Sequence, residues 1–268
     1  VDKLNRSYKP RFQDLAVTLL DSERKALLAN INEIAGKARR AKASIQWQQV
    51  VSDLAAFYQK QEVAWREAYA PLMSALITDQ GHQWNASLGT SFAVPNIYGA
   101  DWFNGYTLTF AQQVNETTLT TLGDMFAQAQ LEGWTVQQMQ NRMNQLFNQW
   151  MTGDETSSDW EWYAQRLPPW RTEMIARTET LRSSNYGSFN LFQEWGVKKK
   201  EWLATFDDRT RKSHVDAGIN YGRGGRPGAI PMEQPFMVNG NPMMCPGDIS
   251  APASETVNCR CTILPVLE

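Results

Sequence analysis

Apolar residues recur at intervals of three and four through the first part of the chain: Leu15, Leu19, Leu27, Ile31 and Ile34, then Val50, Leu54, Phe57, Val63, Leu72 and Leu76. That period predicts helix almost throughout residues 11–80, with breaks near Gly36 and Pro71. From Gly81 to Gly105 the pattern lapses into Gly, Asn and Ser, which predicts a connecting loop. A helix from about Thr107 to Glu132 follows, with Val114, Leu119, Leu122, Phe126 and Leu131 as its stripe. Thr135 is placed to cap a further helix, in which Met139, Met143, Leu146, Phe147 and Trp150 share a face before Gly153. Such a Met and aromatic stripe predicts helix packing rather than a cofactor site.

Beyond the polar run TGDETSSD, Pro168 and Pro169 open a helix predicted from Trp170 to Trp195 and closed by Gly196. The pattern then changes. KKKEWLATF alternates as a strand does, DDRTRKSH reads as a turn into a short helix, and GINYGRGGRPGAIPMEQP is a Gly- and Pro-rich loop. Asn239-Gly240 between apolar residues predicts a hairpin turn, and CRCTILPVL a last strand. The expected architecture is α+β: a mainly helical N-terminal region, residues 1–160, suited to docking and assembly, and a small mixed α+β C-terminal domain, residues 161–268.

Composition narrows the function classes. The chain has 268 residues and a net charge of −2, which excludes a generally basic nucleic-acid binder. Eleven Trp, many in polar surroundings, suit protein interfaces. Three cysteines late in the chain do not make an extracellular disulfide framework and fit a reducing compartment. The sequons at Asn85 and Asn115 then read as coincidence. No run of apolar residues is long enough to span a membrane. The first residues lack a signal core, and Val1 in place of Met suggests a processed or partial chain.

The densest group of chemical side chains is Asp207, Asp208, Arg209, Arg211, His214 and Asp216. Carboxylates with a His can serve a metal-dependent hydrolase, with Glu179 as a further acid. The same residues also make a good turn and helix start, with the acids capping the helix. His214, Cys245, Cys259 and Cys261 are four possible zinc ligands. Cys259 and Cys261, one residue apart, would project to one face of a strand about 7 Å apart, and burial of both thiols in a core explains them equally well. A disulfide between them would close a strained ring. On the helix of residues 170–195, Arg177, Glu179 and Arg182 suit ion pairs with a neighbouring element. Between residues 164 and 226, twelve basic residues exceed seven acids. Of these, Lys198, Lys199, Lys200, Arg209, Arg211, Arg223 and Arg226 are candidate DNA contacts, through phosphate rather than base.

Five ordered elements carry a resemblance: IARTETLRSSNYGS, the Trp202 strand, the Asp207-x-Arg209-Thr-Arg211-x-x-His214 turn, Pro246-Gly247-Asp248, and Asn258-Cys259-Arg260-Cys261. Together they resemble the C-terminal domain of Mu F-like phage minor head, or head-morphogenesis, proteins, which also occurs behind portal proteins. The pattern falls on Arg177, Glu179, Trp202, Asp207, Arg209, Arg211, His214, Pro246, Gly247, Asp248, Asn258, Cys259, Arg260 and Cys261. Cys245 stands outside it. The resemblance implies a non-enzymatic virion protein, made in the host cytoplasm and placed inside the phage head at the portal vertex. It would act in head assembly and in genome packaging or ejection. Its partners would be portal or major capsid protein and packaged double-stranded DNA, with no membrane and no small-molecule substrate. It would need no cofactor, with zinc as the alternative. Some relatives carry an enzyme after the Cys-x-Cys element, and the seven residues that follow Cys261 imply none here. A metal-dependent nuclease and a zinc-stabilised interaction module are the alternative functions.

Overall fold

A computed structural model of the chain describes residues 2–41, 45–47, 50, 54–97, 100–153 and 171–267. The expected polar linker and the Pro168-Pro169 helix start lie outside these residues. The fold is α+β. Five long helices come first, α1 (Asp2–Ala41), α2 (Ala55–Leu88), α3 (Asp101–Glu132), α4 (Val136–Thr152) and α5 (Arg171–Glu194). Then come β1 (Lys199–Leu203), α6 (Lys212–Tyr221), β2 (Ile230–Pro231), β3 (Phe236–Val238), β4 (Asn241–Met243), the single turn α7 (Ala253–Thr256) and β5 (Thr262–Val266).

The chain forms two compact units, one from Val1–Phe12, Ala70–Phe103 and Met174–Glu268, the other from Gln13–Tyr69 and Asn104–Glu173. Their boundaries fall within α1, α2, α3 and α5, whereas the sequence pattern suggested one cut at residue 160. Several expected breaks are absent. α1 runs through Gly36 and α2 through Pro71, one residue past a unit boundary. α2 also continues to Leu88, into the stretch read as loop, because Ile77, Gln80 and Trp84 prolong its buried face, and residues 89–97 are irregular as expected.

In the helical unit the buried stripe of α1 is Ala16, Leu20, Glu23, Leu27 and Ile31, one step round from the expected Leu15 and Leu19, which are half-buried. Val63 and Leu131, expected inside, are 51% and 87% exposed. α4 matches expectation: Thr135 and Gln138 form a reciprocal capping box, and all five predicted face residues are buried. Glu23 is a carboxylate in the α1 stripe. Its Oε1 accepts from Tyr58 Oη at 2.9 Å, and the buried Arg171 side chain donates to Val114 O and Thr118 Oγ1 and lies 4.4 Å from the Trp150 ring centre. Burial pushes the Glu23 pKa up to about 7, against the pull of Arg171 and the Tyr58 bond.

The other unit carries the sheet. β1 pairs antiparallel with β2 and with β5, setting Trp202 opposite Ile263. β3 and β4 form the predicted hairpin, with Asn239 and Gly240 both at positive φ in the turn. The alternation of β1 sends Lys200 and Trp202 inward together. The core beneath holds Trp202, Ala217, Phe236, Val238, Met243, Cys259 and Cys261.

Candidate metal centre

The helix α6 approaches β1 so closely that a Cβ on Gly218 would stand 2.5 Å from Ala204 Cβ. Only glycine permits that contact. His214 lies one turn earlier on the same face and is 1% exposed, edge-on to Trp202 at 5.4 Å between ring centres. The turn that delivers α6 is tied by Asp207, whose Oδ1 accepts from Arg209 N and Thr210 Oγ1. The helix begins from Arg211 without a side-chain cap, so the acids cap the turn and not, as expected, the helix.

Cys259 and Cys261 come from the segment just before β5 rather than from the strand itself. Asn258 takes a positive φ of 56°, which Asn tolerates, and donates its N–H to Thr178 Oγ1. Asn185 of α5 donates to Cys261 O and accepts from Ile263 N, so the backbone on both sides of the pair is fixed. Both sulfurs face His214 Nδ1, Cys259 Sγ at 3.6 Å and Cys261 Sγ at 3.4 Å.

Behind the imidazole stands Glu255 of α7. Its Oε2 lies 3.2 Å from His214 Nε2 and accepts from Ser213 Oγ, while Oε1 accepts from Asn239 Nδ2. The Nε2 contact is an ion-pair distance without hydrogen-bond alignment. Burial works against the Glu255 carboxylate, yet the Asn239 and Ser213 bonds and the charges of His214 and Arg211 hold its pKa below the ordinary value. Within the cysteine pair, the interaction with Cys259 lowers the Cys261 pKa, while the interaction with Cys261 and burial raise that of Cys259.

The donor set fits a metal ion. Two sulfurs and one nitrogen lie within 4.8 Å of one another, the one such His/Cys/carboxylate group among the described residues. With Zn–S near 2.3 Å and Zn–N near 2.05 Å, a tetrahedral S···N edge is about 3.6 Å, which both observed separations approach. A ligating imidazole normally gives its other nitrogen to a carboxylate, the place Glu255 takes. Three donors are one short of a closed structural site. Cys261, His214 and Glu255 could also be read as a thiol nucleophile, its base and an orienting acid. Burial opposes that, because Cys261 is 1% exposed and no substrate atom reaches it without opening the core.

The remaining candidates divide. Cys245, fully buried, belongs to another cluster with Trp84, Phe192 and Ile263, so the four-ligand set is corrected to three. Asp207 is clasped by Arg260, and Glu179 pairs with Arg182 at 2.7 Å. Neither they nor Asp208 join His214 in a ligand group among the described residues, which removes the support for the hydrolase centre. Of the DNA candidates, Lys200 is fully buried, donates to Met244 O at 2.8 Å and lies between the rings of Phe189 and Phe236. Arg211 donates to Val257 O. Lys198, Lys199, Arg209, Arg223 and Arg226 are exposed. Asp248, buried, accepts from Met244 N and Ser250, and shapes the loop whose Gly247 O accepts from Arg182. Sequence reasoning missed Glu255, for a single-turn helix gives no periodic signal. It also missed Asn185, a polar residue on a helix without an apolar stripe to set it off.

No family model matches the chain. No solved structure matches it either. The chain is similar to NAD(+)–arginine ADP-ribosyltransferase EFV of Enterococcus faecalis, 33% identical over 98 residues. The match covers 35% of this chain and 18% of that protein, so it spans about a fifth of the relative. The expectation of a non-enzymatic structural protein is corrected by this finding, since the similar protein is named as an enzyme. No helix among the described residues is long and apolar enough to cross a membrane.

Proposed function

We propose that His214, Cys259 and Cys261 hold a zinc ion that closes a small Mu F-like module, and that such modules are carried in longer polypeptides which include enzymes. The observation that carries the metal is the convergence of both sulfurs on His214 Nδ1, with Glu255 on the far side of the ring. Zinc would supply a cross-link between α6 and the segment before β5, two elements far apart in sequence. The Mu F-like character is supported by the way its five sequence elements bond to one another. Asn258 bonds α5, Arg182 of α5 bonds Gly247, Arg260 clasps Asp207, and Trp202 packs on His214. A module of this kind would dock its polypeptide on another protein, and the resemblance points to a portal or capsid protein as the partner and the virion as the place.

Metal analysis of the full chain purified without chelator is the test. About one zinc per chain is expected, falling to background in His214→Ala and Cys261→Ala, and dropping about 10–100-fold in affinity in Glu255→Gln. Less than a tenth of an ion per chain, with thermal unfolding unmoved by chelator, overturns the assignment.

A second function, transfer of ADP-ribose from NAD(+) to arginine, is favoured by the name of the similar protein alone. Incubating the chain with labelled NAD(+) and an arginine-bearing protein decides it: label on the acceptor supports it, and none removes it.

A further inference from the structure

In the unit that carries the sheet, a cavity of about 380 Å³ opens between the first turns of α1, the face of α5 and the segment around Arg260. Helical spacing explains its lining. Asn5, Arg6 and Lys9 fall on adjoining positions of α1, and Arg177 and Leu181 are one turn apart on α5. Arg260 enters because Cys259 and Cys261 turn inward and the residue between them turns out. Every charged residue lining the cavity is a cation: Arg6, Lys9, Arg177 and Arg260. Asp207, the partner of Arg260, does not line it.

We infer that this cavity binds a pyrophosphate-bearing nucleotide. Four cations lining one concave surface are matched by a ligand with more than one phosphate, and the three guanidinium forks among them suit phosphate oxygens. Asn5 adds a side-chain oxygen that is buried without a hydrogen-bond partner among the described residues, an acceptor suited to a ligand hydroxyl such as that of a ribose. Leu181 supplies an apolar wall for the ribose or base. The volume lies within the range of small-molecule sites, about 300–1,000 Å³, and exceeds what a lone phosphate fills. The hollow is open to one side but short, which suits a small ligand better than a duplex, whose phosphates need a longer track. The cavity shares no side chain with the metal ligands, so this inference stands apart from the zinc.

Titration calorimetry on the full chain in low salt tests it, with ADP, inorganic pyrophosphate, inorganic phosphate and a 12-base-pair DNA duplex as separate probes. One ADP per chain is expected, bound at least tenfold more tightly than inorganic phosphate and weakened as salt rises. Arg6→Gln with Lys9→Gln, both at surface-reaching positions on α1, should weaken ADP at least tenfold while leaving the melting temperature in place. Arg177→Gln is the second variant, and the same loss is expected from it. Pyrophosphate binding as tightly as ADP would show that the anion alone is recognised and overturn the nucleotide. No ADP binding at millimolar concentration, equal affinity in both variants, or tighter binding of the duplex than of ADP overturns the site.

Discussion

Removing the charge of Glu23 should change how stability depends on pH more than how the chain folds. The carboxyl sits fully buried in the α1 stripe, with Tyr58 Oη on Oε1 and no partner for Oε2 among the described residues. Its pKa is about 7 when folded, against 4.5 for the exposed side chain. Between those values the folded chain keeps a proton that the unfolded chain releases, so raising the pH through this window costs stability. A tenfold difference in proton affinity between the folded and unfolded chain is worth about 1.4 kcal/mol, so the full penalty above pH 7 is about 3 kcal/mol, of which roughly 2–3 kcal/mol develops between pH 5 and pH 8. Glu23→Gln keeps an oxygen to accept from Tyr58 and has nothing to titrate. Urea unfolding at pH 5, 6, 7 and 8, followed by Trp fluorescence, should show the variant gaining about 2 kcal/mol or more on the parent across that range. Parallel pH profiles for the two proteins, within about 0.5 kcal/mol, would refute the reasoning.

Lys200 gives the mirror case. Burial lowers its pKa to about 8, so below that pH the folded chain carries a charge it disfavours, and stability rises with pH only from about 8 to 10.5. Lys200→Met should therefore stabilise the chain at pH 6.5 by about 1–3 kcal/mol and lose that advantage near pH 10.5, as read from denaturant unfolding; a variant less stable at both pH values would contradict this. At Gly187 a Cβ would stand 2.5 Å from Ile77 Cγ1, so Gly187→Ala should cost about 1–3 kcal/mol. Ile77→Ala should relieve that clash, and fully additive single and double variants would show that the contact is not the cause.

The period of the apolar residues revealed the helices well and their buried faces less well. It placed α4 with its cap and its whole inner face, because that stripe is regular and bounded by Thr135 and Gly153. In α1 it found Leu27 and Ile31 but began on Leu15 and Leu19, one residue short of the buried Ala16 and Leu20, because Ala16 is too small to signal the stripe and Glu23 interrupts its apolar run. Period-two alternation could have removed Lys200 from the DNA candidates, since a strand that buries Trp202 turns Lys200 the same way. Composition misled at Gly81–Leu88, where Gly81 admits the side chain of Val94 against α2. No local pattern could show this.

The Cys-x-Cys segment was legible as residues and not as a site. Its two sulfurs could be assigned to one face from spacing alone, but nothing in the sequence said that His214 rather than Cys245 would meet them. That choice is tertiary: Gly218 lets α6 fall against β1, and the fall carries His214 to the sulfurs, while Cys245 is drawn into the aromatic cluster of Trp84 and Phe192. Arg260 follows from the same alternation. With its neighbours committed inward it must emerge on the opposite side, where Asp207 and Thr210 hold it beside the cationic cavity. An ion held by the two cysteines would thus fix the backbone on both sides of Arg260. Three consecutive residues then serve two faces of one unit, the inner one suited to a soft metal and the outer one to an anion.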